Sequence, residues 1–298
     1  MREAVLIAKL TSNHGPEAFA EVSKALTDQN ISIVEAHQVE NRKELTKRVR
    51  RSIKSGHKLI LVAGGDGSQA AAVGEFAYND AVLGVIPAGT GNSFAQSLGI
   101  KPTIADAIET ILNGRVAQVD LGMVNGSYFA NFATVGLSAA IGLDTPKLLK
   151  KIAGGVAYGL SAVVPMLTHK PFKASVRWEK NELKVETYQM IIANGRFFGN
   201  TAVLPDATIT DGQLAFFTTV GAGRLEVMRM YLAFLKGTQT ELPDAHYFQT
   251  AKIKVKTKGA QAIAVDGSYF GKTPATFKVA KKALRVMVPQ ETPAAVAV

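Results

Sequence analysis

Two glycine-rich segments constrain this chain more than anything else in it. They are Gly64-Gly65-Asp66-Gly67-Ser68 and Pro87-Ala88-Gly89-Thr90-Gly91-Asn92-Ser93-Phe94. Each leaves an apolar, strand-like run, Lys58 to Ala63 for the first and Leu83 to Ile86 for the second, of the kind expected for strands buried on both faces. Adjacent glycines let the main chain approach a ligand closely, and Gly67 lets a following helix start near the strand, with free N–H groups facing a phosphate. Taken alone, the first segment is equally well read as a tight turn capped by Asp66 or Ser68. A second turn of the same kind weighs against that, because it puts two polar loops at the carboxyl ends of parallel strands, where open α/β sheets bind ligands. Gly64, Gly65, Asp66, Gly67, Ser68, Gly89, Thr90, Gly91 and Asn92 are therefore the expected nucleotide-binding residues. Asp66 does not suit a bare anion site and reads instead as a group that handles Mg2+ or the proton of an attacking hydroxyl. No Gly-Lys-Ser or Gly-Lys-Thr stands at Walker spacing.

Around these turns, residues 1–120 alternate strand-like and helix-like stretches: Ala4 to Leu10, Pro16 to Asp28, Ser32 to Gln38, Arg42 to Ser55, Lys58 to Ala63, Gln69 to Phe76 and Val82 to Ile86. That rhythm predicts a parallel sheet with helices on its faces. It then changes. Val119 to Val124 and Ser127 to Ala133 flank Asn125-Gly126, a two-residue hairpin signal. Short strands are expected at Phe172 to Glu179, Leu183 to Asn194, Gln213 to Thr219, Lys252 to Lys256, Gln261 to Asp266 and Leu284 to Val288, and helices at Pro146 to Leu167 and Arg224 to Lys236. Residues 121–290 thus read as an antiparallel, strand-rich domain, and 291–298 as a loose tail. Two domains agree with a chain of 298 residues that is 47% hydrophobic.

Composition narrows the chemistry. The chain has no cysteine, which removes disulfides, thiolate nucleophiles and Cys-based metal sites and fits a reducing compartment. The first residues run straight into an apolar strand-like stretch with no secretory pattern, so the expectation is a cytoplasmic protein, peripheral at the inner membrane face. The longest uncharged stretch, Ile152 to Leu167, is short of the ~20 residues that span a bilayer. Lys147, Lys150 and Lys151 precede it, an order suited equally to a helix resting on anionic membrane and to a core helix with a solvated first turn. The net charge of +10 is concentrated at Arg42 to Lys58 and at Lys252 to Arg285, which favours anionic partners. In the first cluster Leu45, Val49 and Ile53 recur at helical spacing and turn the charges outward as a solvated face. Nothing resembles a zinc spacing, an RNP-like aromatic motif or a basic zipper, so no specific nucleic acid is expected.

With these motifs in hand, the sequence resembles the diacylglycerol kinase catalytic family, which includes sphingosine and ceramide kinases and bacterial lipid kinases. The marks are Gly64 to Ser68, Pro87 to Phe94, Val119-Asp120-Leu121-Gly122, Pro205 to Leu214 around Asp211-Gly212, and Val265-Asp266-Gly267. The resemblance implies an N-terminal phosphofructokinase-like α/β domain, a C-terminal β-sandwich, ATP in the cleft between them and transfer of phosphate to a lipid hydroxyl. It further implies an Mg2+ site at Asp211 with the main-chain carbonyls of Thr208 and Gln213, and an acidic role for Asp120 near Asp66. A lipid substrate at an anionic membrane surface and a homodimer complete the expected partners.

Three departures stand out. The family's D-G-E motif, whose Glu is taken as general base, is Asp266-Gly267-Ser268 here, and a serine cannot take up that proton at neutral pH. Lost general-base assistance is worth ~10²- to 10⁴-fold, although phosphoryl transfer depends mostly on positioning and charge stabilisation. Ser93 stands where an Asp is usual, and Thr11 to Gly15 replaces an N-P-x-S-G turn. Asp266, placed on the same strand face as Ser268, or Asp66 from the other domain could supply an acid instead. The catalytic set is then Asp66, Ser268 and Asp120, in a protein that binds ATP and Mg2+ and whose transfer step is slow, unusually organised or absent. A non-catalytic ATP- or lipid-responsive regulator is the main alternative, and an NAD kinase, which shares G-G-D-G but not the second turn, ranks below it.

Overall fold

The computed structural model describes residues 2–9, 15–28, 31–137, 139, 169–198, 201–202, 204, 206–221 and 224–291. Its first part runs β1 (Arg2–Lys9), α1 (Gly15–Asp28), β2 (Ile31–Val39), α2 (Arg42–Lys54), β3 (Leu59–Gly64), α3 (Asp66–Phe76), β4 (Val82–Pro87), α4 (Ser93–Ser97) and α5 (Ile104–Asn113). β1 pairs in parallel with β2 on one side and with β3 on the other, and β3 pairs in parallel with β4. Strands β3 and β4 are buried almost throughout, as continuous apolar runs require. α1 packs with α5 and α2 with α3, leaving a helix pair on each face. On α2, Leu45 and Val49 are fully buried and Ile53 packs against the same core, so most of that helix's basic residues do point outward.

The second part runs β5 (Arg115–Val124), β6 (Ser127–Phe129), β7 (Phe132–Gly136), β8 (Phe172–Trp178), β9 (Asn181–Thr187), β10 (Gln189–Ala193), β11 (Phe197–Phe198), β12 (Thr201–Ala202), β13 (Leu214–Thr219), α6 (Arg224–Lys236), β14 (Ala245–Thr250), β15 (Lys252–Thr257), β16 (Ala262–Val265), β17 (Ser268–Lys272) and β18 (Ala275–Val288). Asn125 and Gly126 both have positive φ, 46° and 92°, in the β5–β6 turn, as a two-residue hairpin demands. Six of these strands form an antiparallel sheet in the order β14-β13-β10-β7-β16-β17. Its inward residues, among them Val135, Ile192, Phe216 and Ile263, face Val176, Val255 and Phe277 of a second sheet and build the sandwich core.

That second sheet is the first one continued. The order β2-β1-β3-β4-β18-β15-β8-β9, with β5 and β6 alongside, makes one ten-stranded sheet among the described residues. The joining element is β18. Its end meets β4 in parallel at Val286↔Leu83, its start pairs with β15, and a register shift between Ala280 and Leu284 divides the two stretches. The sequence expects a short strand at Leu284 to Val288 and finds a 14-residue one.

Two other expected strands divide. The stretch Ser127 to Ala133 breaks at Ala130-Asn131, and Leu183 to Asn194 breaks at Tyr188, which sends its halves into different sheets. The expected Pro146 to Leu167 helix, with Lys147, Lys150 and Lys151 in it, Thr11 to His14 and the 292–298 end of the tail lie outside the described residues. No helix among the described residues is long and apolar enough to cross a membrane.

Candidate active site

The crossover direction reverses between β1 and β3, since β1 leads to β2 on one side and the chain then crosses to β3 on the other. Ligands of open α/β sheets bind in the crevice outside the strand ends at such a point. Gly64 to Ser68 lies there, with Gly65 as the N-cap residue of α3 and Asp66 opening the helix. The second turn is packed directly on the first. Gly64 O accepts from Ala88 N at 3.1 Å. A Cβ on Gly65 would stand 2.9 Å from Gly89 Cα, and one on Gly89 would stand 2.4 Å from Gly65 Cα. Neither position admits a side chain while the turns stay in contact.

Asn92 shapes the second turn. It adopts a left-handed conformation, φ 50° and ψ 38°, which asparagine tolerates. Its side-chain carbonyl accepts from Gly89 N at 3.0 Å, and its amide donates to Gly89 O at 2.8 Å. The chain then enters α4 with its first N–H groups facing Asp66. The Asp66 carboxylate accepts from Phe94 N at 3.2 Å and from Ser93 Oγ at 3.3 Å. Ser93, where an acid would be usual, thus serves as a donor to Asp66. Burial pushes the Asp66 pKa up, and the hydrogen bonds from residues 92–94 only partly offset it. Ser68, 2% exposed, keeps a hydroxyl with no partner among the described residues. An orphaned buried hydroxyl in a glycine-rich turn at a switch point fits an oxygen-rich ligand such as a phosphate. Thr90 is exposed at the turn's tip.

Asp266 and Ser268 approach from the antiparallel sheet. Asp266 and Gly267, with φ of 44° and 73°, are the two turn residues of the β16–β17 hairpin, in which Val265 pairs with Ser268. Asp266 therefore does not share a strand face with Ser268, contrary to the reading from sequence. Its carboxylate accepts from Ala130 N, Asn131 N and Phe132 N at 2.8, 2.9 and 3.1 Å, holding the bend that splits β6 from β7. Burial pushes the Asp266 pKa up against these three bonds, and the charge of Asp66 adds to the rise. A carboxylate so fully engaged is an anchor and is poorly placed to take a substrate proton.

Asp120 and Asp211 form a second acidic pair. Asp120, 2% exposed, accepts from Gly212 N and Lys282 N, both at 2.7 Å, and so ties the Asp211-Gly212 turn to the irregular stretch of β18. Asp211 accepts from Gln213 N at 2.8 Å. Partial burial raises its pKa, hydrogen bonds from Gln213 and the Thr208 side chain lower it, and the Asp120 charge raises it again. Asp120 is thus coupled to Asp211, while Asp66 is coupled to Asp266. Among the described residues no cluster of three or more His, Asp or Glu could hold a metal. The donors at Asp211, a carboxylate with the Thr208 and Gln213 carbonyls named from sequence, are of the hard oxygen type that Mg2+ takes.

Arg42 is the residue the sequence reading left on a solvated face. It opens α2, but its guanidinium lies across the α3 turn, where a Cβ on Gly67 would stand 2.1 Å from Arg42 Nη2. Arg42 Nη1 donates to Ser268 Oγ. The contact joins residues 226 apart in sequence, and no local pattern could have announced it.

Family models and relatives agree with this geometry. Residues 3–124 match the diacylglycerol kinase catalytic domain, and residues 132–288 match the YegS C-terminal NAD kinase beta sandwich-like domain. A diacylglycerol kinase from Bacillus subtilis is 30% identical over 237 residues, 78% of each chain.

The chain belongs to the diacylglycerol kinase family.

A Staphylococcus saprophyticus diacylglycerol kinase is also similar, 27% identical over 259 residues that cover 86% of this chain and 85% of its own. Two Bacillus anthracis crystal structures share the fold. One, assigned provisionally as a diacylglycerol kinase, superposes with a TM-score of 0.84 at 22% identity over 99% of this chain and 97% of its own. The other, a diacylglycerol kinase, gives 0.74 at 21% identity over 99% and 98%. As a member of a family of lipid kinases, the chain has ATP as its implied phosphate donor.

Proposed function

We propose that this protein transfers the γ-phosphate of ATP to a hydroxyl of a membrane lipid such as diacylglycerol, a ceramide or a sphingoid base, at a rate limited by the serine in its D-G-S motif. The observation that carries the reading is Asp66: a carboxylate with raised proton affinity, held between two packed glycine turns at the switch point of the sheet. The phosphates lie against the α3 turn, near Ser68 and the Gly65–Gly89 contact. Asp66 takes the proton from the acceptor hydroxyl as its oxygen bonds to the γ-phosphorus. The bond from that phosphorus to the bridging oxygen breaks, and ADP leaves. A raised pKa brings a carboxylate nearer the operating pH, where a general base works best. Mg2+ at Asp211, with the carbonyls of Thr208 and Gln213, would neutralise the Asp120–Asp211 pair and brace the second sheet. The lipid is presented at an anionic membrane surface.

A screen of diacylglycerol, ceramide and sphingosine micelles with labelled ATP, run beside calorimetric ATP binding, tests the proposal. ATP binding with slow, Asp66-dependent phosphorylation of a lipid is expected. Turnover at an ordinary enzymatic rate would remove the impairment, and absence of ATP binding would remove the function. ATP binding without any turnover supports the second reading, a non-catalytic regulator, which Ser268 favours because it removes a base and leaves the phosphate turns intact.

A further inference from the structure

We infer that Arg42 is a ligand of the terminal phosphate of the bound nucleotide, its guanidinium held over the Gly67 turn by Ser268. The inference rests on the function proposed above and deepens it.

Three sources of positive charge converge at the strand ends flanking the β1–β3 crevice. The first is the amino end of α3, whose free N–H groups and dipole favour an anion. The second is Arg42. Its guanidinium lies so close to Gly67 that Cζ and Nε, as well as Nη2, would stand 2.8 and 3.0 Å from any Cβ there. The third is Lys9, the last residue of β1, one step beyond the Ala8↔Ala63 pair. Burial lowers the Lys9 pKa and the Arg42 charge lowers it further, which places the two cations in each other's field.

Among the described residues neither cation forms an ion pair with a carboxylate. By contrast Arg50, two turns along the same helix, is held by Glu75 at 2.8 Å. Asp66, the nearest acid in the sequence of the turn, directs its carboxylate at Ser93 and Phe94 instead. Two like charges in each other's field, neither paired with an acid among the described residues, raise each other's energy until an anion arrives. A polyphosphate is the anion whose size and charge match three such donors.

Ser268 has a definite part here. A glutamate at that position would meet the Arg42 guanidinium as a salt bridge and cancel its charge. A serine accepts its hydrogen bond, orients it and leaves the charge free for phosphate. The loss of one group is thereby accompanied by the release of another, and stabilisation of charge on the transferring phosphoryl group is the larger contribution in this chemistry.

The test compares ATP and ADP affinities by calorimetry for the full chain and for Arg42→Ala, Arg42→Lys and Ser268→Glu, with melting temperatures alongside. A ligand of the terminal phosphate contributes to ATP and less to ADP. Arg42→Ala is expected to weaken ATP by about tenfold or more while changing ADP less, at an unchanged melting temperature. Arg42→Lys is expected to recover part of the loss, and Ser268→Glu to mimic it by occupying the guanidinium. An ATP-to-ADP affinity ratio equal in wild type and Arg42→Ala would overturn the assignment and leave the proposed function standing. So would a Ser268→Glu protein that gains phosphotransfer with its ATP preference intact. Wild-type protein that binds neither nucleotide overturns both.

Discussion

Asp66 and Asp266 are two buried carboxyls that the sequence treats alike and the structure does not. Each has its pKa raised chiefly by burial. Asp266 accepts three backbone N–H groups, so Asp266→Ala would orphan two buried donors, at a cost on the order of 1–3 kcal/mol each and not strictly additive, and a third, part-buried one. The expected result is a large drop in melting temperature for Asp266→Ala, with ATP binding and stability lost together.

Asp66→Asn should behave oppositely, losing about 10²- to 10⁴-fold in phosphotransfer while keeping its fold. The sign of its pH dependence follows from linkage. A carboxyl whose folded pKa is raised contributes stability that is complete below the unfolded value, 3.8 for an ordinary Asp, and is lost as pH rises through the folded value. Asp66→Asn, neutral at every pH, should therefore gain on wild type as pH rises across that window, and melts on both sides of it would read the change. The acid limb of wild-type phosphotransfer should likewise lie above the ordinary carboxylate range. A difference between the two proteins that did not vary with pH would show that the hydrogen bonds from residues 92–94 offset burial in full, and one of opposite sign that they outweigh it.

At the scale of elements, the two turns act as one unit because Gly65 and Gly89 touch. Gly89→Ala places a methyl group 2.4 Å from the Gly65 backbone, which cannot be absorbed by a flexible side chain, so the turns must part. Overpacking of this kind costs about 1–3 kcal/mol. Both the melting temperature and ATP affinity should fall.

The turns themselves were legible in sequence, because a β-branched run ending in glycines is a local signal. The same holds for β3, β4, α2 and the Asn125-Gly126 hairpin. What could not be read was whatever depends on pairing between distant segments. Strand β14, Ala245–Thr250, is half-buried at nearly every position and so has no alternation to detect. Tyr188 separates two strands that follow one another without a turn residue yet belong to different sheets, and the register reveals the break. Asp266 reads as a strand residue until Ala130, Asn131 and Phe132 are brought to it. Arg42 sits among seven other basic residues between positions 43 and 58, and its helical position points to solvent. The length of its side chain and the missing Cβ of Gly67 let it lie, still exposed, over the α3 turn.

Over the whole molecule, the second basic cluster becomes a surface only once the sheet is assembled. In β15, Lys252, Lys254 and Lys256 face out and Ile253 and Val255 face in. The register sets Lys252 beside Lys278 of β18, Lys254 beside Arg177 of β8, and Lys256 beside Ser175, which in turn neighbours Lys184 of β9. All six basic residues are exposed, and Lys173 and Lys258 extend the row, where a shallow cavity of about 450 Å³ opens. Two acids, Glu182, paired with Arg177 at 3.0 Å, and Glu186, stand against eight cations on this face. A broad outer sheet face with repeated lysines and no aromatic side chain interleaved suits the diffuse negative charge of a bilayer better than the stacked bases of a single-stranded nucleic acid. Each basic residue held near such a surface contributes about 1 kcal/mol, so the triple variant Lys252→Glu, Lys254→Glu, Lys256→Glu should bind vesicles of phosphatidylglycerol and phosphatidylcholine on the order of a hundredfold more weakly than wild type. Pure phosphatidylcholine should hold neither protein, and added salt should release wild type from the mixed vesicles as the charges are screened. Phosphorylation of a short-chain lipid dispersed in neutral detergent should be the same for both proteins, because no residue of this row touches the Asp66 turn. Equal sedimentation of the two proteins with anionic vesicles would show that the membrane meets some other face.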